Sequence, residues 1–300
     1  MSVTDKKYNL SEKNAMILLT FVIIARSTSF VLSKSMLESM STFNLLAVRF
    51  LLAFLILAVI FPKKLIKMKK RTFLKGLFLG FIYFVVMSFE IMTLNYTASN
   101  VCSFLEHTAV IMVPVFSAMI SRKKPAGDVI IGAVLAFLGI GLLSFSSGSE
   151  VSGTGVALAL SAAFSYAWAI IITDKVTKED DALTIGMLQV GFMGLFGLIA
   201  SMIFESPHLP QTGTQWAMII YLAAVCSDFG FTFQTVGQSG CTPEQAGLIA
   251  ALNPVFSGIF GWIFLNESLT FYQILGGAVV VFGIILPIAV KLIKNKKQTI

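Results

Sequence analysis

Glu106 and His107 stand side by side in SNVCSFLEHTAVIMVPVFS, residues 99–117, a stretch apolar enough for a buried helix. A carboxylate beside an imidazole can hold a substrate ammonium, or pass a proton, since free histidine titrates near pH 6.5. An ionised side chain at a bilayer centre costs about 2.5–3.5 kcal/mol on insertion scales, so it needs a partner or a wet cavity. Four more ionisable residues fall inside apolar runs: Arg26, Arg49, Glu90 and Asp228. Two cations against three anions and a histidine is close to balance, which suggests pairing inside the bundle. Arg26 and Asp228 both lie near mid-run and can meet at one depth. Glu106 also has a structural reading, in which Arg26 or Arg49 holds it and His107 bonds a helix carbonyl. Glu90 lies near the end of its run and reads as reaching the interface. Asp228 is balanced between site and scaffold.

Other side chains can shape a cavity around these charges. Tyr166 and Trp168 offer ring faces to a cation. Asn253 can hydrogen-bond a substrate or cap the bend that Pro254 makes. Pro114 and Pro254 each remove a backbone hydrogen bond from a helix. They are candidate hinges, or else fixed kinks that shape a cavity. Cys102, Cys226 and Cys241 are scattered and form no CxxC pair, so neither a metal site nor a disulfide framework is expected. GxxxxGK[ST], HExxH and a catalytic triad are all absent, so the chain is not expected to be an enzyme or to couple to ATP by itself. No cofactor is expected.

The elements that must position these residues follow from composition. Of 300 residues, 56% are hydrophobic and 12% charged, and mean hydropathy is +0.86. Soluble domains average about 45–50% apolar and about 25% charged. The contrast points to a polytopic membrane protein. Ten apolar segments stand out, at about 15–34, 42–61, 74–94, 98–121, 128–146, 154–173, 182–203, 215–235, 245–265 and 271–290. Each approaches the roughly 20 residues that a helix needs to cross the hydrocarbon. The ten-residue alternating runs of barrel strands are missing. The net charge of +7 sits in short basic blocks abutting the apolar runs, which reads as membrane orientation and not as nucleic-acid binding. With the N-terminus in the cytoplasm, nineteen Lys and Arg fall on the cytoplasmic side and only Lys34 outside. That bias places both termini in the cytoplasm. The lysines before the first run precede a retained span, not a cleaved signal.

The halves resemble each other. PVFS occurs at 114–117 and again at 254–257, and VIIGAVLAFLGIGLL (129–143) aligns with QILGGAVVVFGIILP (273–287). Gly132 then matches Gly276, and Gly139 matches Gly283. Near the front, Arg49 matches Gln189. Five spans per copy is an odd number, so the second copy enters the membrane upside down. The glycines read as packing positions. The expected architecture is all-α: ten transmembrane helices in two inverted five-helix repeats, 1–147 and 148–300.

The chain resembles the drug/metabolite transporters of the EamA type along essentially its whole length. The resemblance rests on STSFVLSK (27–34), VRFLLAF (48–54) and NPVFSGIFGWIFLNESLTFYQILGGAVVVFGIIL (253–286), with Pro254, Glu267, Gly276 and Gly283 at the family's spacing. Arg26 departs from the family, which usually has an aromatic there. Lys123 stands where the first repeat would match Glu267. By the same resemblance Arg49 is structural, and Glu267 sits in an external loop. The resemblance implies a secondary transporter in the bacterial plasma membrane, a monomer or homodimer. It would export a small polar metabolite such as an amino acid or amine by alternating access, driven by protons or the substrate gradient. The expected substrate-binding set is Glu106, His107, Arg26, Asp228, Trp168, Tyr166 and Asn253, with hinges at Pro114 and Pro254. The alternative is a multidrug or quaternary-cation proton antiporter, with Glu106 and aromatic rings as a cation trap.

Overall fold

A computed structural model of the chain describes residues 10–97, 99–145, 152–178, 180–265 and 270–298. Helix makes up 84%, and no strand occurs among the described residues. Among the described residues, seven stretches are long and apolar enough to cross a membrane: 12–36, 42–60, 70–94, 101–121, 153–177, 182–204 and 213–238. Two shorter apolar helices, 127–142 and 274–290, accompany them. Glu267 lies outside the described residues.

Several of these stretches are broken, and the sequence accounts for the breaks. The first is α1 (Glu12–Arg26) and α2 (Ser29–Met36), interrupted at Ser27–Thr28. Both hydroxyls turn back on the helix, Ser27 Oγ donating to the Ile24 carbonyl and Thr28 Oγ1 to that of Ala25. Such back-bonding competes with regular helix geometry. Next come α3 (Thr42–Ile60), the short α4 (Pro62–Ile66) and the long α5 (Lys70–Leu94). α6 (Ser99–His107) and α7 (Ala109–Ser121) meet at Thr108, a turn and a half before Pro114. There the backbone tightens, with Thr108 N–H donating to Leu105 O and Ile111 N–H to Thr108 O. α8 (Gly127–Phe145), α9 (Gly153–Thr177) and α10 (Ala182–Phe204) follow. α11 (Gly213–Tyr221) runs into eleven π-helical residues, Leu222–Thr232, and then α12 (Phe233–Gln238). α13 (Pro243–Ala250) and α14 (Asn253–Leu265) are separated by a tightened turn just before Pro254. α15 (Phe271–Gln298) closes the chain.

The largest apolar core runs through α1, α3, α5, α9, α10 and the π segment, with Tyr83, Phe50, Phe231 and Leu79 at its heart. A smaller cluster joins α8 and α15. These two helices cross antiparallel and backbone to backbone. A Cβ at Gly139 would lie 2.6 Å from the Gly276 carbonyl oxygen, and one at Gly132 2.5 Å from that of Gly283. The pairing of α3 with α10 is also antiparallel, with Gly191, Gly194 and Gly197 against Phe54, Leu51 and Ala47 in turn. Glycine is required wherever the neighbour is backbone, since backbone cannot rotate aside.

Candidate functional site

The break between α1 and α2 leaves Arg26 at the end of α1, directed inward and 6% exposed. Its guanidinium lies over the ring of Phe231, 4.0 Å from the centroid, and Nη1 donates to the side-chain carbonyl of Gln234. A Cβ at Gly230 would meet the Arg26 stem at 2.8 Å, so the π segment passes close beside it. Gln234 is held from its other end, where Nε2 donates to Tyr83 OH (3.1 Å) and Tyr166 OH (3.4 Å). Tyr83 OH in turn pairs with Thr173 Oγ1 at 3.4 Å. Residues from α1, α5, α9 and α12 thus fix one guanidinium.

Opposite charge comes from α5 and α6. Glu90 and Glu106 are each 1% exposed, and α6 packs on α5 beside them, with Cys102 Sγ 3.6 Å from the Glu90 carbonyl, so that the two carboxyls act on each other electrostatically. Both act electrostatically on Arg26. Oε2 of each glutamate, and Nε of Arg26, are buried without a partner. Burying a polar group unpaired costs roughly 1–3 kcal/mol, more if charged. A chamber holding several such atoms is therefore suited to a polar occupant. Its two signs suit the opposite ends of one molecule: a carboxylate at Arg26 and an ammonium at the glutamates.

The predicted residues distribute unevenly around this chamber. Glu106, Arg26 and Tyr166 meet in it. His107 flanks it, with ring centroids 6.2 Å from those of Phe30 and Tyr166. Its Nδ1 lies 2.7 Å from the Ser103 carbonyl, which can only accept, so Nδ1 carries the hydrogen. Asn253 adjoins the α1–α2 break through Ser257, whose hydroxyl donates to the Ser27 carbonyl (2.8 Å) and contacts Asn253 Oδ1 (3.4 Å). Trp168 is about 200° round α9 from Tyr166. It stacks on Phe116 of α7, centroids 5.2 Å apart, and does not join the chamber. Asp228 is 7% exposed with both carboxylate oxygens unpartnered, and it makes no pair with Arg26.

Two sequence readings change. Glu90 does not reach the interface; it is buried against Glu106. Arg49 does not hold Glu106 by a direct bond: its Nε donates to Ser227 Oγ (2.7 Å) and its Nη1 to Ser33 Oγ (3.4 Å). It ties α3 to the π segment and to α2, as a structural role requires. Sequence reasoning does not find Gln234, because a neutral residue in an apolar run carries no burial cost as conspicuous as a charge. A glutamine amid FTFQTVGQ is the one signal that pointed to Gln234.

Comparison with known proteins adds four observations. The model of the EamA-like transporter family matches residues 13–145 and again 153–288. An uncharacterized transporter of Archaeoglobus fulgidus is 26% identical, covering 91% of this chain and 96% of its own length. The threonine/homoserine exporter RhtA of Salmonella typhimurium is also 26% identical, over 81% of each chain. A solved crystal structure shares the fold at a TM-score of 0.78 and 14% identity, covering 92% of this chain and 96% of that one.

Proposed function

The chain belongs to the EamA-like transporter family and is an integral membrane protein. From that premise we propose that it is a secondary active transporter exporting an amino acid or related amine by alternating access. The observation that carries the reading is the buried meeting of Arg26 with the Glu90–Glu106 pair. A zwitterion satisfies both signs, whereas a lipophilic cation alone would meet Arg26 as a like charge. The similarity to RhtA supports the amino-acid class and the outward direction.

The pair also suggests the coupling. Two carboxyls buried side by side carry charge together only at a high cost, so a proton held between them is the arrangement that fits. An arriving ammonium displaces that proton, so one substrate exchanges for one proton at the same atoms. His107 and Asn253 complete the wall, and Asp228 on the π segment is a separate contact for substrate as the cavity opens.

Ten helices in two inverted repeats, 1–147 and 148–300, are the framework for the movement. The antiparallel crossings of α8 with α15 and of α3 with α10 support it, since each joins a helix to its sequence equivalent. The helix breaks, six residues before Pro114 and two to three before Pro254, lie within about one turn of each other in the aligned copies and serve as hinges. Both termini lie in the cytoplasm of a bacterial cell, by the Lys and Arg bias. The transporter acts as a monomer or homodimer.

The test is uptake of labelled amino acids into proteoliposomes. Glu106→Gln and Arg26→Gln should each lower exchange about tenfold or more, as loss of a hydrogen bond to a buried charge implies, while protein remains in the membrane. Normal transport by Glu106→Gln at every pH would make Glu106 structural.

A further inference from the structure

A cavity of about 530 Å³ lies away from the buried charges, at the Lys-rich ends of α7, α8, α13 and α15. That volume is in the range of small-molecule sites, about 300–1,000 Å³. Its polar wall has both signs. Lys123 and Lys124 come from the turn after α7, Asp128 from the first turn of α8 and Glu244 from the first turn of α13. Its apolar wall is Met16, Leu248, Ile249, Ile284 and Ile288. The lysines reach this position through Arg122, which ends α7 in the left-handed region at φ 53°. An arginine there is disfavoured, so the surrounding fold holds the turn.

The inner end of the cavity is shut. The Ser117 hydroxyl donates to the Glu244 carboxylate, linking α7 to α13. One turn deeper, a Cβ on Gly247 would be 3.2 Å from Val113. Beyond that contact is the chamber: Glu106 is eleven residues from Ser117, roughly 16 Å along the helix. The seal and the cavity therefore lie on one line with the buried site.

We propose that this cavity is a loading site for a small zwitterion with an apolar side chain, occupied before the α7–α13 contact parts. The inference rests on the transporter reading. Lys123 and Lys124 take the carboxylate. Glu244 takes the ammonium; one hydrogen bond from Ser117 does not saturate a carboxylate, which has about four acceptor positions. The side chain lies on Leu248, Ile249 and Ile284. Both signs with an apolar wall suit such a ligand better than an anion or an amine alone.

The experiment uses the full chain in phosphatidylcholine nanodiscs and the Ser121→Cys variant, whose side chain lines the cavity. The natural cysteines, Cys102, Cys226 and Cys241, are buried and give little background. Leucine should slow maleimide labelling at least fivefold, while 4-methylpentanoate and 3-methylbutylamine, each bearing one charge, should slow it less than twofold. Lys123→Gln with Lys124→Gln in the Ser121→Cys background should remove the protection and raise the KM of leucine transport. Glu106→Gln should retain the protection although transport falls. Equal protection by 4-methylpentanoate, or protection by added phosphatidylglycerol in place of leucine, overturns the zwitterion site in favour of an anion or lipid site. Protection that survives the double lysine substitution, or none at all, also overturns it. If the lysine variants transport with unchanged KM, the loading site falls and the transporter stands. If leucine protects wild-type lining but no amine or amino acid is ever moved, the transporter reading falls instead.

Discussion

At the scale of single residues, the chamber is a problem in charge placement. Arg26 is satisfied on one side by Gln234 and Phe231 and left with an unpartnered Nε on the other. Glu90 and Glu106 share one environment, so their substitutions should not add. Glu90→Gln is expected to lower exchange as much as Glu106→Gln, and the double variant little further, since groups acting as a unit are non-additive. Initial rates in proteoliposomes for the three variants check this. A double variant whose fractional rate equals the product of the two singles would mean two independent roles. Gln234→Leu should weaken transport without dislodging the chain from the membrane, because it frees Arg26 from its anchor. The sequence made Arg26 and Glu106 legible, since an ionisable group amid apolar residues is conspicuous. It misdirected the reading of Glu90, since distance from the end of a run does not say which way a side chain faces. It also put Trp168 beside Tyr166 when two helical residues separate their faces.

Elements carry a different kind of constraint. The α8–α15 crossing depends on absent side chains. Gly139→Val must push its Cβ into the Gly276 carbonyl and the Val280 amide, 2.6 and 2.7 Å away. Overpacking of that kind costs about 1–3 kcal/mol. A lower Tm in detergent is the expected outcome; an unchanged Tm would show that the helices slide apart freely. Elsewhere, one helix is capped by another. Ser41 does not cap α3 with its side chain; the carboxylate of Glu205, at the end of α10, accepts from the Phe43 and Asn44 amides at 3.0 and 2.8 Å. His208 adds to this corner, its Nδ1 and Nε2 facing the carbonyls of Ser206 and Ser39 at 3.0 and 3.1 Å. Those bonds, and then the nearby Glu205 charge, raise the imidazole above its ordinary 6.5. A raised pKa in the folded state stabilises fully below about pH 6.5 and the gain is lost as pH climbs through the raised value. The Tm advantage of the natural chain over His208→Asn should follow that course in a pH series. The sequence revealed the helices through their apolar runs, and the prolines marked two of the breaks. It hid the π segment and the Glu205 cap, which depend on which neighbours the fold supplies.

At the scale of the whole molecule, charges gather on one face. Lys64 pairs with Asp181 (2.9 Å) and Lys75 with Asp180 (2.5 Å), joining α4 and the start of α5 to the segment before α10. Burial alone would raise the Asp180 carboxyl, but the hydrogen bond and charge of Lys75 outweigh it and hold it below its usual 3.8. A depressed carboxylate stabilises above its unfolded pKa and loses the gain as pH falls through the folded one. The Tm advantage of the natural chain over Lys75→Met should therefore be full above about pH 4 and shrink as the pH falls below it, read as Tm against pH. The opposite face is poor in cations, and its one lysine is engaged: Lys34 Nζ donates to the carbonyls of Leu94 and Thr97, 2.5 and 2.7 Å away, at the end of α5. The two sides of the molecule thus differ in how they would answer a reagent that seeks primary amines. Applied to sealed cells, an acylating dye unable to cross lipid should leave this protein nearly unmarked, and should colour it heavily once the vesicles are turned inside out.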